Sequence, residues 1–383
     1  MAMALAGLEG VVVAETELSD VDGEHGQLVI RGYEIEDLVG QVTFEDAWAL
    51  LWSGRLPTDA ERDDWRVGLA RARHDAFELL PSLGNALALP DGMDALRAAL
   101  GHVSASGDIQ HDALLLTGAT AVFSAAWARR QTHQPLVEPD TSLSHAADYL
   151  YMMSGAAFAS AHVAALDAYL CCVVDHGLNA STLAARVVAS TGSDLVSAVV
   201  AAVGALKGPL HGGAPGPVLD MFDAIERAER TRSWLADQIA AGHRIMGMGH
   251  RVYRVRDPRA AALERAAARL SVSDIAGERL SLARAVEREA EALLAERYPA
   301  RRLRANVEFY TAVLLEAIGI PRTLFSPTFA VSRVAGWCAH YEEQRRRGRL
   351  MRPLSTYIGD RPKSKAGPDV AAAPARHLPG PES

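Results

Sequence analysis

Between residues 155 and 206 the chain reads GAAFASAHVAALDAYLCCVVDHGLNASTLAARVVASTGSDLVSAVVAAVGAL, mostly alanine, valine and leucine with few charges. Helices made from such a segment have little polar face to give to water, so they must be buried on most sides. A chain of 383 residues is long enough to cover them, as two domains or as one domain carrying an insertion. His162 and Asp167 interrupt the most apolar part, 155–174, which therefore reads as a core helix and not as a membrane span. Aromatic residues make up only 6% of the chain and alanine is abundant, which favours closely packed helices over a β-sandwich.

Strand signals are confined to 11–33, VVVAETELSDVDGEHGQLVIRGY, where two short β-branched runs flank the turn-rich VDGEHG as in a small hairpin. Helical spacing dominates afterwards. It is clear in 45–57, which stops at Gly54 and Pro57, and in DALRAALGHV, LLLTGATAVFSAAWARR and SHAADYLYMMSG, with a polar loop near 131–144. Segments 217–242, 258–271 and 280–297 are amphipathic and rich in arginine and glutamate, whereas 309–319 and 327–347 return to a buried character. The changes near 213 and 320 lie close to the residues with chemistry, so a cleft between domains is expected. From Arg361 onward, proline and small residues suggest a disordered tail.

Cys171, Cys172 and Cys338 fit no zinc spacing and read as buried thiols in a reducing compartment. MAMALAGLEG lacks the basic start and apolar run of a signal peptide, so a cytoplasmic location is expected. A net charge of −8 argues against a nucleic-acid or anionic-membrane surface and turns attention to ligands for the arginine clusters.

Three stretches stand out. In KGPLHGGAPGPVLDMFDAI, His211 is followed by glycines and then by prolines that suit the first turn of a helix. It is either a loop histidine in a tight turn or a neutral imidazole poised to donate to an oxyanion. In IMGMGHRVYRVRDPRAA, His250 sits beside Gly249, and Asp257-Pro258 look like the N-cap and first residue of a helix holding Arg259 in its first turn. That arrangement is either a solvated arginine face or a carboxylate site with a histidine over a carbonyl. In NVEFYTAVLLEAIGIP, Glu308 precedes an apolar helix, as a dipole-stabilising charge or as a partly desolvated base. His176, Arg333 and Arg352, in DHGLNAST, SRVAGW and RPLSTYIG, are bland taken singly.

Together these residues resemble the citrate synthase family. The resemblance runs from GLEGVVVAETELSDVDGEHGQLVIRGYEIEDL through MDALR, LSHAADYLYMMSG, HGLNAST, GPLHGG, MGMGHRVYRVRDPRA, NVEFY and FAVSRVAGW to RPLSTYIG. It implies an all-α, two-domain helical fold with a small N-terminal β element. A large domain (1–212 and 321–360) would form the dimer, a small domain (213–320) would close over the substrates, and 361–383 would be the tail. The implied reaction condenses oxaloacetate with acetyl-CoA, a substrate and not a resident cofactor, to citrate and CoA. No metal is implied, nor any nucleic acid or membrane partner. By the same resemblance His211 would bond the thioester oxygen, His250 would donate to the forming alkoxide, and Glu308 would remove the methyl proton. His176, Arg259, Arg333 and Arg352 would grip the dicarboxylate, with Arg352 reaching across a homodimer, and Arg254 and Arg301 would meet CoA phosphates.

Two departures from the family pattern stand out. The usual base is aspartate where this chain has Glu308, and GPLHGG runs into Ala214-Pro215-Gly216. One methylene in an apolar pocket is worth about 1–3 kcal/mol, so a 2-methylcitrate synthase using propionyl-CoA is an alternative. A silent homologue that only binds CoA or dicarboxylates is another.

Overall fold

A computed structural model describes residues 7–8, 10–212, 215–250, 252–270 and 274–360. The expected tail at 361–383, Ala214 of the altered helix start and Arg251 of the arginine-rich stretch lie outside the described residues. The chain divides into two compact units, Val13–Met351 and a minor one of Met1–Val12 with Arg352–Ser383. Every element named below belongs to the first.

The β element is a three-stranded antiparallel sheet of β1 (Ser19–Asp22), β2 (Gln27–Ile30) and β3 (Tyr33–Glu34), with Asp22 opposite Gln27. Its first strand is SDVD and not the more β-branched VVV at 11–13. The turn decides this. Asp22 Oδ1 accepts the main-chain N–H of both Glu24 and His25 at 3.0 Å, and Gly26 takes φ +70°, so the hairpin closes directly after Asp22.

Fifteen helices follow among the described residues. The first six are α1 (Ile35–Leu38), α2 (Phe44–Ser53), α3 (Asp59–Glu78), α4 (Gly92–Leu100), α5 (Ile109–Gln131) and α6 (His145–Ser154). Helix α2 ends where expected, at Gly54 with φ +79°. Helix α3 has no clean apolar face, and periodicity alone does not single it out. Its legible signal is the capping box of Thr58 and Glu61, each side chain satisfying the other's main-chain N–H. Helices α3 and α5 approach closely at Gly118, where a Cβ would stand 2.5 Å from the Ala72 carbonyl carbon.

The small-residue segment forms α7 (Ser160–Val173), α8 (Ala180–Ser190) and α9 (Leu195–Leu206), and Leu166 and Tyr169 to Val174 are all buried. No described helix is long and apolar enough to cross a membrane. All three cysteines are free and buried. Then come α10 (Pro215–Ile225), α11 (Thr231–Ala240), α12 (Pro258–Leu270), α13 (Asp274–Arg297), α14 (Val307–Ile318) and α15 (Phe325–Arg347). Helix α15 is buried on nearly all sides from Phe325 to Tyr341 and packs against α5, α7, α8 and α9. Each large apolar side chain it removes from water contributes about 1.5–3 kcal/mol. Helix α12 packs against α7 and α14. Those contacts bring the first turns of α12 and α14 to the C-terminal end of α7.

Candidate active site

His250 sits in a loop that pairs with the chain just before α14. Gly249 N–H donates to Arg304 O at 2.7 Å and Asn306 N–H to Gly247 O at 2.9 Å. Asn306 then does two jobs. Its Oδ1 caps α14 by accepting Glu308 N–H at 3.0 Å, and its Nδ2 donates to Gly249 O at 2.9 Å. One side chain thus fixes the histidine loop against the helix that carries Glu308. The flanking glycines serve the packing of the loop itself. Gly247 and Gly249 take φ +74° and +91°, and added Cβ atoms would meet Phe309 and Leu303 at 2.8 and 2.9 Å. The space beside them is filled by the protein.

The loop also fixes the histidine's protons. Main-chain N–H groups of Val252 and Tyr253 donate to His250 Nδ1 at 3.0 and 3.1 Å. A ring nitrogen that accepts holds no proton, so neutral His250 carries its hydrogen on Nε2 and can only donate there. Burial first, then the Arg259 charge, pulls its pKa down to about 4. The hairpin braces this loop, with Arg254 N–H donating to Gly23 O at 2.8 Å.

His211 is held in the same manner by a different element. Ser181, in the first turn of α8, directs its main-chain N–H at His211 Nε2 (3.3 Å), and its Oγ lies 2.8 Å from the same nitrogen. Ser181 is itself fixed by Asn179 Oδ1 at 2.8 Å and by Trp337 Nε1–H at 3.1 Å. An accepting Nε2 leaves the proton of the neutral ring on Nδ1. Burial and the Arg333 charge lower its pKa to about 4. Sequence reasoning looked for a helix start behind His211, in α10; the helix end that meets its ring is that of α8.

The charged groups come from the starts of α12 and α14 and from α15. Arg259 is buried in the first turn of α12, and its Nε and Nη2 donate to Asp257 Oδ1 and Oδ2 at 3.0 and 2.8 Å. Asp257 Oδ2 also accepts Val307 N–H at 3.2 Å, so the same carboxylate ties α12 to the start of α14. Glu308 follows directly. Its Oε2 is sealed from solvent without a partner, and burial, partly offset by Arg259, pushes its pKa up to about 7. Arg333 on α15 donates through Nε to Val173 O at 2.7 Å and lies over the Phe329 ring, while Nη2 has no partner. Burial pulls even this guanidinium down to about 10, which leaves it charged at neutral pH.

His176, just beyond α7, completes the group. Its ring centroid is 5.5 Å from that of His250, and its Nε2 shares a 3.1 Å hydrogen bond with Tyr253 Oη. Burial, then the Arg259 charge, lowers its pKa well below the usual range. Asp175, its neighbour, is gripped by Ser19 Oγ from β1 and by His340.

His176, His250, Arg259, Glu308 and Arg333 therefore form one cluster, with His211 linked to it through Ser181 and Trp337. Three neutral imidazoles, two guanidinium groups and a reluctant carboxylate suit a dianion with a polarisable carbonyl. Arg254 and Arg301 are exposed outside it, the first 4.0 Å from Glu24 and the second stacked on Tyr298. Arg352 belongs to the minor unit. Arg256, in the same arginine-rich stretch, is occupied by Glu264 and Glu287 at 2.7 and 2.6 Å. The residues that sequence reasoning missed are positioning groups: Asn306, Ser181, Tyr253 and Asp175. For Asn306 a signal existed, an asparagine directly before an apolar helical run.

Residues 7–354 match the family described as "Citrate synthase, C-terminal domain". The citrate synthase of Haloferax volcanii is 40% identical over 372 residues, covering 93% of this chain and 96% of that protein. A 2-methylcitrate synthase of Mycobacterium tuberculosis is 36% identical over 363 residues, covering 92% and 90%. Among solved structures, the citrate synthase of Thermoplasma acidophilum in complex with carboxymethyl coenzyme A and oxaloacetate superimposes with a TM-score of 0.84 at 29% identity, covering 94% of this chain and 97% of that one. With both sequence and fold shared over nearly the whole length, this chain belongs to the citrate synthase family and is an acyltransferase of that type.

Proposed function

We propose that the enzyme condenses oxaloacetate with acetyl-CoA, and that His250 and Glu308 are its central catalytic pair. The observation that carries this reading is the fixed tautomer of His250, a neutral ring whose only proton is on Nε2, in a loop that Asn306 ties to the helix carrying Glu308 and its unpartnered oxygen. A thioester methyl group is a far weaker acid than any carboxylic acid, and each pH unit of mismatch is worth about 1.36 kcal/mol. A base alone cannot span the gap, so the oxyanion must be stabilised as it forms.

Glu308 takes the methyl proton while His211 donates from Nδ1 to the thioester oxygen. The enol carbon attacks the ketone of oxaloacetate, and His250 gives its Nε2 proton to the new alkoxide. Water then cleaves the thioester, releasing citrate and CoA. Arg259, Arg333 and His176 hold the oxaloacetate carboxylates. Arg254 and Arg301, exposed and cationic, meet CoA phosphates. Residues 213–320 act as the small domain that closes over the substrates, against the large domain of 1–212 with 321–360. Arg352 reaches the site of a partner subunit in a homodimer; nearby Leu354 and Ile358 are 92% and 94% exposed, apolar surface that such a partner would cover. The setting is the cytoplasm.

The test is CoA release from purified protein given oxaloacetate, with acetyl-CoA and propionyl-CoA in parallel. Fast turnover with acetyl-CoA and its loss in both His250→Ala and Glu308→Gln, with the fold intact, is the expected result. Preference for propionyl-CoA would move the assignment to methylcitrate formation, a reading favoured by the Mycobacterium relative named above. Binding without turnover would leave a dicarboxylate- or CoA-binding protein.

A further inference from the structure

Five tyrosines are buried in the described protein: Tyr149, Tyr169, Tyr253, Tyr310 and Tyr341. Four have hydroxyl partners. Tyr149 meets Thr328 Oγ1 at 2.9 Å, Tyr253 meets His176, Tyr310 donates to Glu287 at 2.6 Å, and Tyr341 donates to Ser193 O at 2.9 Å. Tyr169 Oη has none, although the side chain is fully buried. A buried hydroxyl without a partner is costly, and such an exception needs an explanation.

Its surroundings supply one. Tyr169 lies on α7, which α14 and α15 both pack against. Ser332 Oγ and Arg333 Nε clamp the α7 carbonyls of Leu170 and Val173 at 2.5 and 2.7 Å. The groups whose charge bears on Tyr169 are Glu308 first, then Cys172 on its own helix, Arg333 and Tyr149; burial and the Glu308 charge both raise its pKa. Cys172 and Tyr149 are not competing acceptors, since the first is a neutral thiol and the second is bonded to Thr328. Facing Glu308 are Arg259 and Asp257 from the α12 end and Arg333 from α15. Asp257 is already engaged by Arg259 and Val307. Among these groups one oxygen lacks a donor, Glu308 Oε2, and two donors lack an acceptor: Tyr169 Oη, and Arg333 Nη2, which the proposed dicarboxylate would take.

We propose that Tyr169 is a positioning residue for the base: in the substrate-bound enzyme its hydroxyl donates a hydrogen bond to Glu308 Oε2 and aims the longer glutamate side chain at the acyl methyl group. This rests on the reading of Glu308 as the base. The bond is absent from the free protein and forms when the site is occupied. Donation to the ionised carboxylate stabilises that form, so the bond makes Glu308 easier to keep charged in the complex than in the free enzyme.

Tyr169→Phe removes only the hydroxyl. The expected result is a fall in kcat of roughly tenfold, the worth of one hydrogen bond to a charged group. The acid limb of the kcat profile moves up by about one pH unit, because kcat reports the occupied enzyme. The acid limb of kcat/KM, which reports the free enzyme, stays in place, and KM for oxaloacetate changes little. The melting temperature holds or rises, since an unpartnered polar atom has been deleted from the interior. An unmoved kcat profile overturns the proposal, as does a lower melting temperature, which would mean that the hydroxyl is bonded in the free protein. Glu308→Gln is measured alongside. If it turns over normally, the base assignment fails; if it is dead and Tyr169→Phe is indistinguishable from wild type, only the role of Tyr169 fails.

Discussion

Arg73 and Arg186, buried and fully paired, differ in plan from the equally buried Arg333. Arg73, fully buried on α3, gives Nε to Asp148, Nη1 to His145 at 3.3 Å and Nη2 to Leu143 O at 3.0 Å. Arg186 on α8 is equally occupied, by Glu343, Gln344 and His340 at 2.6, 3.0 and 2.9 Å. Arg333 is just as deep, yet one of its donors is unpartnered and no carboxylate pairs with it among the described residues. Burying an ion costs several kcal/mol, and a fold recovers this only when geometry and hydrogen bonds are complete. Where the charge serves the fold it is fully paired. At Arg333 the pairing is left open for a ligand to complete, whereas Arg259, in the same cluster, is already held by Asp257.

The contrast breaks most visibly by cutting each plan in turn. Arg73→Met should destabilise the protein by about 3–5 kcal/mol, because Asp148 is left buried without its partner. Arg333→Met removes a charge that the free protein does not pair, so its stability should match or exceed wild type. KM for oxaloacetate should rise at least a hundredfold, since a charge-assisted contact to a carboxylate is lost. Denaturant titrations and steady-state kinetics on the two variants decide it. If Arg333→Met is as unstable as Arg73→Met, the unpaired guanidinium is structural after all.

A second measurement needs no turnover. A ligand that binds only the folded state at a hundred times its Kd adds about 2.7 kcal/mol of stability. Oxaloacetate alone should therefore raise the melting temperature of the wild-type protein by several degrees, and of Arg73→Met by a similar amount. In Arg333→Met the increment should nearly vanish. An undiminished shift would show that the dicarboxylate is held without Arg333.

The helical architecture was legible because small apolar residues at helical spacing can be buried in few ways, and α7 to α9 lie where that pattern puts them. The hairpin was legible from its turn-rich VDGEHG, but β-branching at 11–13 does not mark the first strand, because hydrogen bonds at the Asp22 turn fix the ladder from Ser19. Helix α3 was hidden by charges on most of its faces. At the candidate site, His176, His211, His250, Arg259 and Arg333 were legible by type and motif, whereas Arg254 and Arg301 lie exposed outside the cluster. What sequence could not show is which nitrogen of each ring accepts, because that depends on Val252 and Ser181 N–H groups fixed by tertiary packing. Nor could it show that Tyr169 lacks a partner, since the absence of a contact exists only in three dimensions.

The smallest effect concerns the carboxylate on which both plans bear. Glu308 has its pKa raised from 4.5 to about 7 in the fold, mainly by burial. A raised carboxyl group binds its proton more tightly when folded than when unfolded. Its contribution to stability is thus fully present below pH 4.5 and is lost as pH rises through about 7. At about 1.36 kcal/mol per pH unit, and discounted because the residue is only half-buried, the loss is about 2 kcal/mol by pH 8. Glutamine has no proton to release and escapes it. Glu308→Gln should match wild-type stability near pH 5 and exceed it by about 2 kcal/mol at pH 8. With Glu308 as the proposed base, wild-type kcat/KM for the acyl-CoA should rise with pH through the same region as that carboxyl ionises. Urea titrations of both proteins at the two pH values test the first claim. A stability gap that does not widen with pH would mean that Glu308 is not strained in its ionised form and is paired like the carboxylates of the structural set.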